Sequence, residues 1–300
     1  HEEQRAQPEE AADAGADRRR RHNGQPVRTA RSGEIGRGGG GGRARRDRAR
    51  LRGVASKRRS GEVEGAGWRA AAHLMPIIDA ATVVSRAERE ASCAALSFAS
   101  TVCRDAGATF VGMVHYPGSP RHLDLKSLAK LAMCCADIGS SAPDRVLLSV
   151  DIPEDGLLPL IEAGHPDLLQ FHGNETPDHA AAIKARFNLP IIKSIAIETI
   201  DDLDQCADWN GVADWLLFDA KVTPGGQPGG TGHSFDWTIL QSYKGPLPWM
   251  LAGGLDQNSV ADAIKISGAK TVDVSSGVES TTGKKDARQI HDFIRATQLV

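Results

Sequence analysis

The sequence lacks the features that mark membrane, secreted or metal-binding proteins. No apolar run approaches the roughly 18 to 20 residues that a membrane-spanning helix needs, and no basic stretch followed by an apolar one marks a secretory signal peptide. The five cysteines are odd in number and show neither C-x-x-C spacing nor a matching histidine pattern. We therefore expect a cytoplasmic protein with reduced thiols and without a metal site.

Residues 1–75 contain few Val, Ile, Leu or Phe and show no strand or helix periodicity. They carry 18 of the 36 Lys and Arg but only 10 of the 38 Asp and Glu, which leaves 18 cations and 28 acids for residues 76–300. This composition predicts a disordered Arg/Gly/Ala-rich arm before one folded domain at 76–300. A second interpretation is that the arm is a wrong-frame translation of GC-rich DNA. No aromatic residues interleave with its arginines, so nucleic acid is not an expected partner.

Seven short apolar, β-branched runs recur after Gly107, separated by helix-like segments. The number of residues between the starts of consecutive runs matches one strand, one crossover helix and two short loops. Continuously apolar strands of this kind are typical of a parallel sheet. The runs are T-F-V-G-M-V (from Thr109), R-V-L-L-S-V (Arg145), D-L-L-Q-F (Asp167), P-I-I-K-S-I (Pro190), D-W-L-L-F (Asp214), L-P-W-M-L (Leu247) and K-T-V-D-V (Lys270).

Seven βα units predict a (β/α)8 TIM barrel whose eighth strand lies before Thr109 and is atypical or missing. The competing fold, an open doubly wound sheet, has a G-x-G-x-x-G turn after its first strand. The one match, Gly36–Gly41, stands in the arm with no strand before it. We therefore favour the barrel.

Glycines follow the last two runs, at the end of the barrel where phosphate is commonly bound. Gly253 and Gly254 follow the sixth run, and Ser276 and Gly277 follow the seventh. Glycine lets backbone N–H groups approach an anion closely, so we expect a phosphate site, with ordinary tight turns as the alternative.

Three further positions carry candidate chemistry. Asp219 ends an apolar strand before the long Gly/Pro-rich loop 221–233, where it could act as a general acid or base or cap the loop. Asp273 interrupts V-D-V-S and either orients substrate hydroxyls or satisfies backbone donors. Arg121, in the first clear loop, either clamps a carboxylate or phosphate or lies on a solvated turn.

Gln170 and His172 flank the phenylalanine of Q-F-H-G. We expect only one of the two to face the barrel interior and meet the substrate, with the other packed outside.

Four motifs in one order strongly resemble the phosphoribosylanthranilate isomerase family of tryptophan biosynthesis, over about residues 106–297. They are L-L-Q-F-H-G-N-E-T-P, L-L-F-D-A-K followed by P-G-G-T-G-H-S-F-D-W, L-A-G-G-L-D-Q-N-S-V, and V-D-V-S-S-G-V-E-S-T-T-G-K-K-D.

The resemblance implies a cofactor-free Amadori rearrangement of N-(5-phosphoribosyl)anthranilate, with Asp219 as general acid and Arg121 near the anthranilate carboxylate. Gln170, His172 and Asp273 are the remaining candidates for substrate contacts. The glycine turns, together with Gly230 and Gly232 of the long loop, would hold the phosphate. A monomer and a homodimer are both compatible with the sequence.

The family's general base is a cysteine in a K-I-C-G strand, which this sequence lacks. Cys93 in A-S-C-A-A-L-S is the first substitute, one residue closer to Gly107 than the family spacing places it. Asp79, at the end of M-P-I-I-D, is the second. Cys103 is expected to be a buried thiol of a helix. A third interpretation is that residues 1–105 are not native and that the true first strand lies in another reading frame. If the base is absent, the alternative function is a non-catalytic or impaired phosphosugar-binding barrel.

Overall fold

The computed structural model of this chain describes residues 75–79, 93–221 and 234–300, with side chains from residue 100 onward. Apart from Met75, the predicted arm lies outside the described residues, and so does most of the long loop after Asp219. Within the described ranges, no helix is long and apolar enough to cross a membrane.

Eight parallel strands pair in sequence order, and the last pairs with the first to close a barrel. Each of the seven apolar runs overlaps one strand, so that prediction is confirmed. The strands are β1 Met75–Asp79, β2 Phe110–His115, β3 Asp144–Ser149, β4 Leu168–Phe171, β5 Ile191–Ile197, β6 Trp215–Ala220, β7 Trp249–Leu251 and β8 Thr271–Val274.

The strand β1 lies before Thr109, as predicted, and is present rather than missing. Ile77 pairs with Phe110 of β2, and Ile78 pairs with Val274 of β8. The interpretation of A-S-C-A-A-L-S as a strand is wrong, because Cys93 is the first residue of a helix. Alanine favours helix, and this stretch lacks the β-branched residues that favour a strand.

Helices follow most of the strands and cover the barrel. They are α1 Cys93–Ala106, α2 Leu125–Ile138, α3 Glu154–Gly164, α4 Pro177–Phe187, α5 Val260–Ser267 and α6 Ala287–Thr297. Short 3₁₀ segments occupy Gly139–Ser141, Ile200–Trp209 and Trp237–Ser242, and an antiparallel hairpin of β9 Glu279–Thr281 and β10 Lys284–Lys285 follows β8.

Local sequence signals account for the helix boundaries. Thr176 accepts a hydrogen bond from the His179 N–H (3.2 Å), and Pro177 is the first residue of α4, as the sequence predicted. On α1, Cys103 is buried in the core against the barrel, which confirms the expectation for that thiol.

The barrel interior changes character along its axis. At the amino end of the strands, an inner apolar layer includes Phe110, Leu168, Ile192, Leu217 and Met250. Side chains two residues further along a strand point to the same side. The next interior positions on β4, β5 and β6 are polar, so the fold places polar side chains on an apolar floor.

Candidate active site

The carboxylate of Asp219 lies at the carboxyl end of β6, where the sequence predicted a reactive group. The residue is only 8% exposed. Its Oδ1 accepts a hydrogen bond from the Ala220 N–H at 2.8 Å, and its Oδ2 lies 3.3 Å from His172 Nε2. Both oxygens are therefore fixed at the barrel mouth.

Gln170 and His172 lie on the same side of the chain, so the expectation that only one faces the interior is wrong. Residues two apart in a strand share a face, and Phe171 between them packs in the outer core. Gln170 Nε2 lies 3.1 Å from His172 Nδ1, and Ser194 Oγ lies 3.5 Å from His172 Nε2. The two residues form one contact chain that ends at Asp219.

The hydrogen bonds that link Gln170, His172 and Asp219 favour one tautomer of the His172 imidazole. The Gln170 amide NH2 only donates, so the His172 Nδ1 that it contacts must accept. The ring proton of the neutral form then resides on Nε2 and points to Asp219 Oδ2. His172 thus holds the Asp219 carboxylate through this hydrogen bond.

Asp273 is the next polar position around the mouth. Its neighbours Val272 and Val274 belong to the outer core, so Asp273 faces the barrel interior. It pairs in register with Ile77 of β1, which places it beside the first strand. The structure thus agrees with an interior position, and its contact with substrate stays a prediction.

The two glycine turns meet at the ends of β7 and β8. Gly253 adopts φ +88°, and a Cβ there would lie 2.7 Å from the Ala220 nitrogen and 3.2 Å from Asp219 Oδ1. Asp256 and Gly277 form a parallel bridge, and a Cβ at Gly277 would overlap the Leu255 carbonyl oxygen. Glycine is required at both positions because another chain segment passes against them.

The predicted phosphate residues therefore divide into two groups. Gly253 lies against Asp219, and Gly277 pairs with Asp256 of the turn after β7, with Gly254 and Ser276 next to them in sequence. Gly230 and Gly232 lie outside the described residues.

Asp256 orders the first of these turns before α5 begins. Its Oδ1 accepts hydrogen bonds from the N–H groups of Asn258 and Ser259, both at 2.8 Å. Burial acts to raise the pKa of this carboxyl, but the hydrogen bonds from Ser259 and Asn258 outweigh burial and leave the pKa below its usual range. The turn is thus held by an ionised side chain.

Arg121 contacts a carboxylate, and that carboxylate belongs to the protein. Arg121 Nε donates to Glu279 Oε1 at 2.7 Å, and Nη2 donates to Oε2 at 2.8 Å. Lys285 Nζ lies 2.9 Å from Glu279 Oε1. Sequence reasoning missed Glu279 and Lys285, although both stand in the motif V-E-S-T-T-G-K-K that follows β8.

A second buried ion pair lies behind the loop that follows β4. Lys193 Nζ contacts Glu175 Oε2 at 2.8 Å and donates to the Gly173 carbonyl oxygen at 2.6 Å. Glu175 also accepts from the N–H groups of Gly173 and Asp151, both at 3.0 Å. Sequence reasoning missed this pair too, and its signal was a lysine inside the apolar run P-I-I-K-S-I.

The two candidates for the general base occupy different elements. Asp79 is the last residue of β1, and Cys93 is the first residue of α1. Of these positions only the backbone is described. Cys93 therefore does not stand at a strand end, where reactive groups of barrels are commonly found.

In the part of the chain that the structure describes, no cluster of three or more His, Cys, Asp or Glu is arranged to hold a metal ion. The cysteines with described side chains, Cys103, Cys134, Cys135 and Cys206, are buried.

Comparisons with known proteins agree with this geometry. The family described as N-(5'phosphoribosyl)anthranilate (PRA) isomerase matches residues 100–296. The N-(5'-phosphoribosyl)anthranilate isomerase of Rhodopseudomonas palustris (strain BisA53) is 46% identical over 194 residues, 64% of this chain and 87% of that protein. The same enzyme of Beijerinckia indica subsp. indica is 45% identical over 195 residues, 65% of this chain and 86% of that protein.

A solved structure shares the fold. Phosphoribosyl anthranilate isomerase from Thermotoga maritima superposes with a TM-score of 0.61 at 24% identity, covering 76% of this chain and 100% of that chain. The family match begins at residue 100, so β1 and the two candidates for the base lie outside the matched range.

Proposed function

This chain belongs to the N-(5'-phosphoribosyl)anthranilate isomerase family, and from that premise we propose how its barrel mouth performs an aldose–ketose isomerisation in tryptophan biosynthesis. The substrate is N-(5-phosphoribosyl)anthranilate and the product is 1-(2-carboxyphenylamino)-1-deoxyribulose 5-phosphate. The single observation that carries the assignment of roles is the buried Asp219 carboxylate, fixed between Ala220 and His172.

Ring opening is the step assigned to Asp219. A protonated Asp219 gives its proton to the ring oxygen, and the bond between that oxygen and C1 breaks. The lone pair of the anthranilate nitrogen forms the C1=N bond of a Schiff base. His172 supports the carboxylate that remains, because its Nε2 lies 3.3 Å from Asp219 Oδ2.

A general base then removes the C2 proton, and the electron pair moves toward nitrogen to give an aminoenol. Uptake of a proton at C1, with conversion of the C2 hydroxyl to a carbonyl, completes the reaction. Substrate and product are isomers, so no oxidant or reductant is consumed. We assign the base first to Asp79, because β1 ends there, and keep Cys93 as the alternative.

The glycine turns and Arg121 are assigned to the two anionic ends of the substrate. The turn at Gly253 lies against the Asp219 strand, and Gly277 pairs with Asp256 of that turn. The backbone N–H groups of the two turns are assigned to the phosphate. Arg121 is assigned to the anthranilate carboxylate. Asp273 and Gln170 face the interior, where ribose hydroxyls would lie. The proposal includes a cytoplasmic monomer or homodimer.

The test is to incubate the full chain with N-(5-phosphoribosyl)anthranilate and follow the sugar protons by NMR. Isomerisation replaces the single C1 proton of the aldose with the C1 methylene of the ketose. The expected result is conversion by the chain as it stands, lost in Asp219→Asn.

The alternative, a non-catalytic phosphosugar-binding barrel, has no support from the relatives, which are isomerases. Tight binding of a product analogue by folded protein without any turnover would favour it and overturn the catalytic assignment.

A further inference from the structure

The contacts of Arg121 fix the position and orientation of its guanidinium. Its side chain is 7% exposed, and Nε and Nη2 form a fork with the two oxygens of Glu279. Such paired bonds fix the plane of the guanidinium as well as its position. A single bond to a flexible carboxylate would leave the plane free to rotate.

Glu279 is itself held from the other side. Lys285 Nζ lies 2.9 Å from Glu279 Oε1 and also donates to the Ser275 carbonyl oxygen, while the Gly283 N–H donates to Glu279 Oε2 at 2.9 Å. Burial acts to raise the pKa of the Glu279 carboxyl, but the bonds from Arg121 and the charge of Lys285 outweigh it and keep the pKa below its usual range. Glu279 is therefore a preorganised carboxylate.

The position of this pair in the barrel is informative. Arg121 belongs to the loop after β2, and Glu279 belongs to the hairpin after β8. Between those strands lies β1, so the pair spans the carboxyl end of β1 at the mouth of the barrel. A contact used for stability alone could lie anywhere, whereas this one lies on the face where substrate enters.

We propose that Glu279 is a positioning residue that holds the Arg121 guanidinium for recognition of the aromatic carboxylate of the substrate. This inference rests on the proposed function. Glu279 orients Arg121 but does not itself touch the reacting atoms.

The experiment compares two substrates. N-(5-phosphoribosyl)anthranilate carries the carboxylate, and N-(5-phosphoribosyl)aniline lacks it but has the same sugar, phosphate and amine. In Glu279→Gln, kcat/KM for the carboxylated substrate is expected to fall about 10-fold or more, mainly through KM. For the aniline compound it is expected to stay within about 2-fold, so discrimination between the two shrinks.

Asp167→Asn is the matched control. Asp167 accepts two hydrogen bonds from the Arg145 guanidinium, at 3.0 and 3.3 Å, but at the amino end of the strands. The control should leave the discrimination unchanged. Because Gln at position 279 weakens two cationic contacts, Glu279→Asp provides a second variant that keeps the charge and shifts the fork. It is expected to show a smaller loss of the same kind.

Equal losses for both substrates in the Glu279 variants would overturn the inference, because a merely structural role damages both alike. Unchanged kinetics for both would overturn it as well. If Glu279→Gln does not fold, the same criteria apply to Glu279→Asp. Failure of the wild-type chain to convert either substrate would instead overturn the proposed function.

Discussion

The two sides of the barrel mouth are held together by different kinds of contact. On the side of β4, β5 and β6, Asp219 contacts His172, which contacts Gln170, through side chains on the strands or at the residue that directly follows β4. On the opposite side, Arg121 and Glu279 join two loops by a charged fork. Strands fix positions closely, which suits proton transfer, whereas charged loops suit recognition of an anion. The division predicts which variants will lose turnover and which will lose binding.

The largest expected effect is the loss of kcat when Asp219, on β6, is replaced. Asp219→Asn should lower kcat by about 10² to 10⁴-fold with little change in KM, because Asn fills the same space but cannot donate the proton. Steady-state kinetics with the carboxylated substrate measures it. The control is Asp214→Asn, which alters a carboxylate at the other end of the same strand, bound to the Ile191 N–H. Similar losses in kcat for both variants would contradict the assignment.

The next effect concerns β1, the strand between the two loops of the charged side. Asp79→Asn should lower kcat by about 100-fold or more if Asp79 is the base, and Cys93→Ala should retain turnover. The exchange of the substrate C2 proton in deuterated water isolates this step. The reverse result would move the base to Cys93, and unchanged exchange in both would remove both residues from the mechanism.

A smaller effect is expected on the free energy of unfolding, from the buried ion pair of Lys193 and Glu175. Lys193→Met leaves Glu175 buried without its cation, and should lower the free energy of unfolding by about 3 kcal/mol in urea titrations. Arg186→Met, which breaks a half-exposed pair with Glu154, should lower it much less, because water screens an exposed pair. If both variants lose the same unfolding free energy, the buried pair of Lys193 and Glu175 does not stabilise the fold more than the half-exposed pair does.

The smallest effect is the pH dependence of the stability that Glu279 contributes through its ion pair with Arg121. The pKa of Glu279 is lowered by folding, so its contribution to stability is present above the unfolded value of about 4.3 and is lost as pH falls through the lower folded value. The difference in unfolding free energy between wild type and Glu279→Gln should therefore be constant near neutrality and shrink below about pH 4. A difference that grows toward acid would have the wrong sign and contradict the ion pair.

Sequence reasoning reached the fold because its signals are local. The seven apolar runs, and helix starts such as Thr176 with Pro177, follow from backbone geometry over a few residues. It also placed Asp219 at a strand end. The first strand was harder to identify, because M-P-I-I-D is short and A-S-C-A-A-L-S competes with it, and only pairing with both β2 and β8 decided between them.

The sequence by itself determined the βα repeat, the family and the strand-end position of Asp219, since each depends on near neighbours in the chain. Only the tertiary structure decided which side chains contact one another at the site. Arg121 meets a carboxylate 158 positions away, and His172 reaches Asp219 two strands further around the barrel. The physical reason is that closing the barrel brings the strand ends to one mouth, and no local pattern of residues encodes which side chains then meet there.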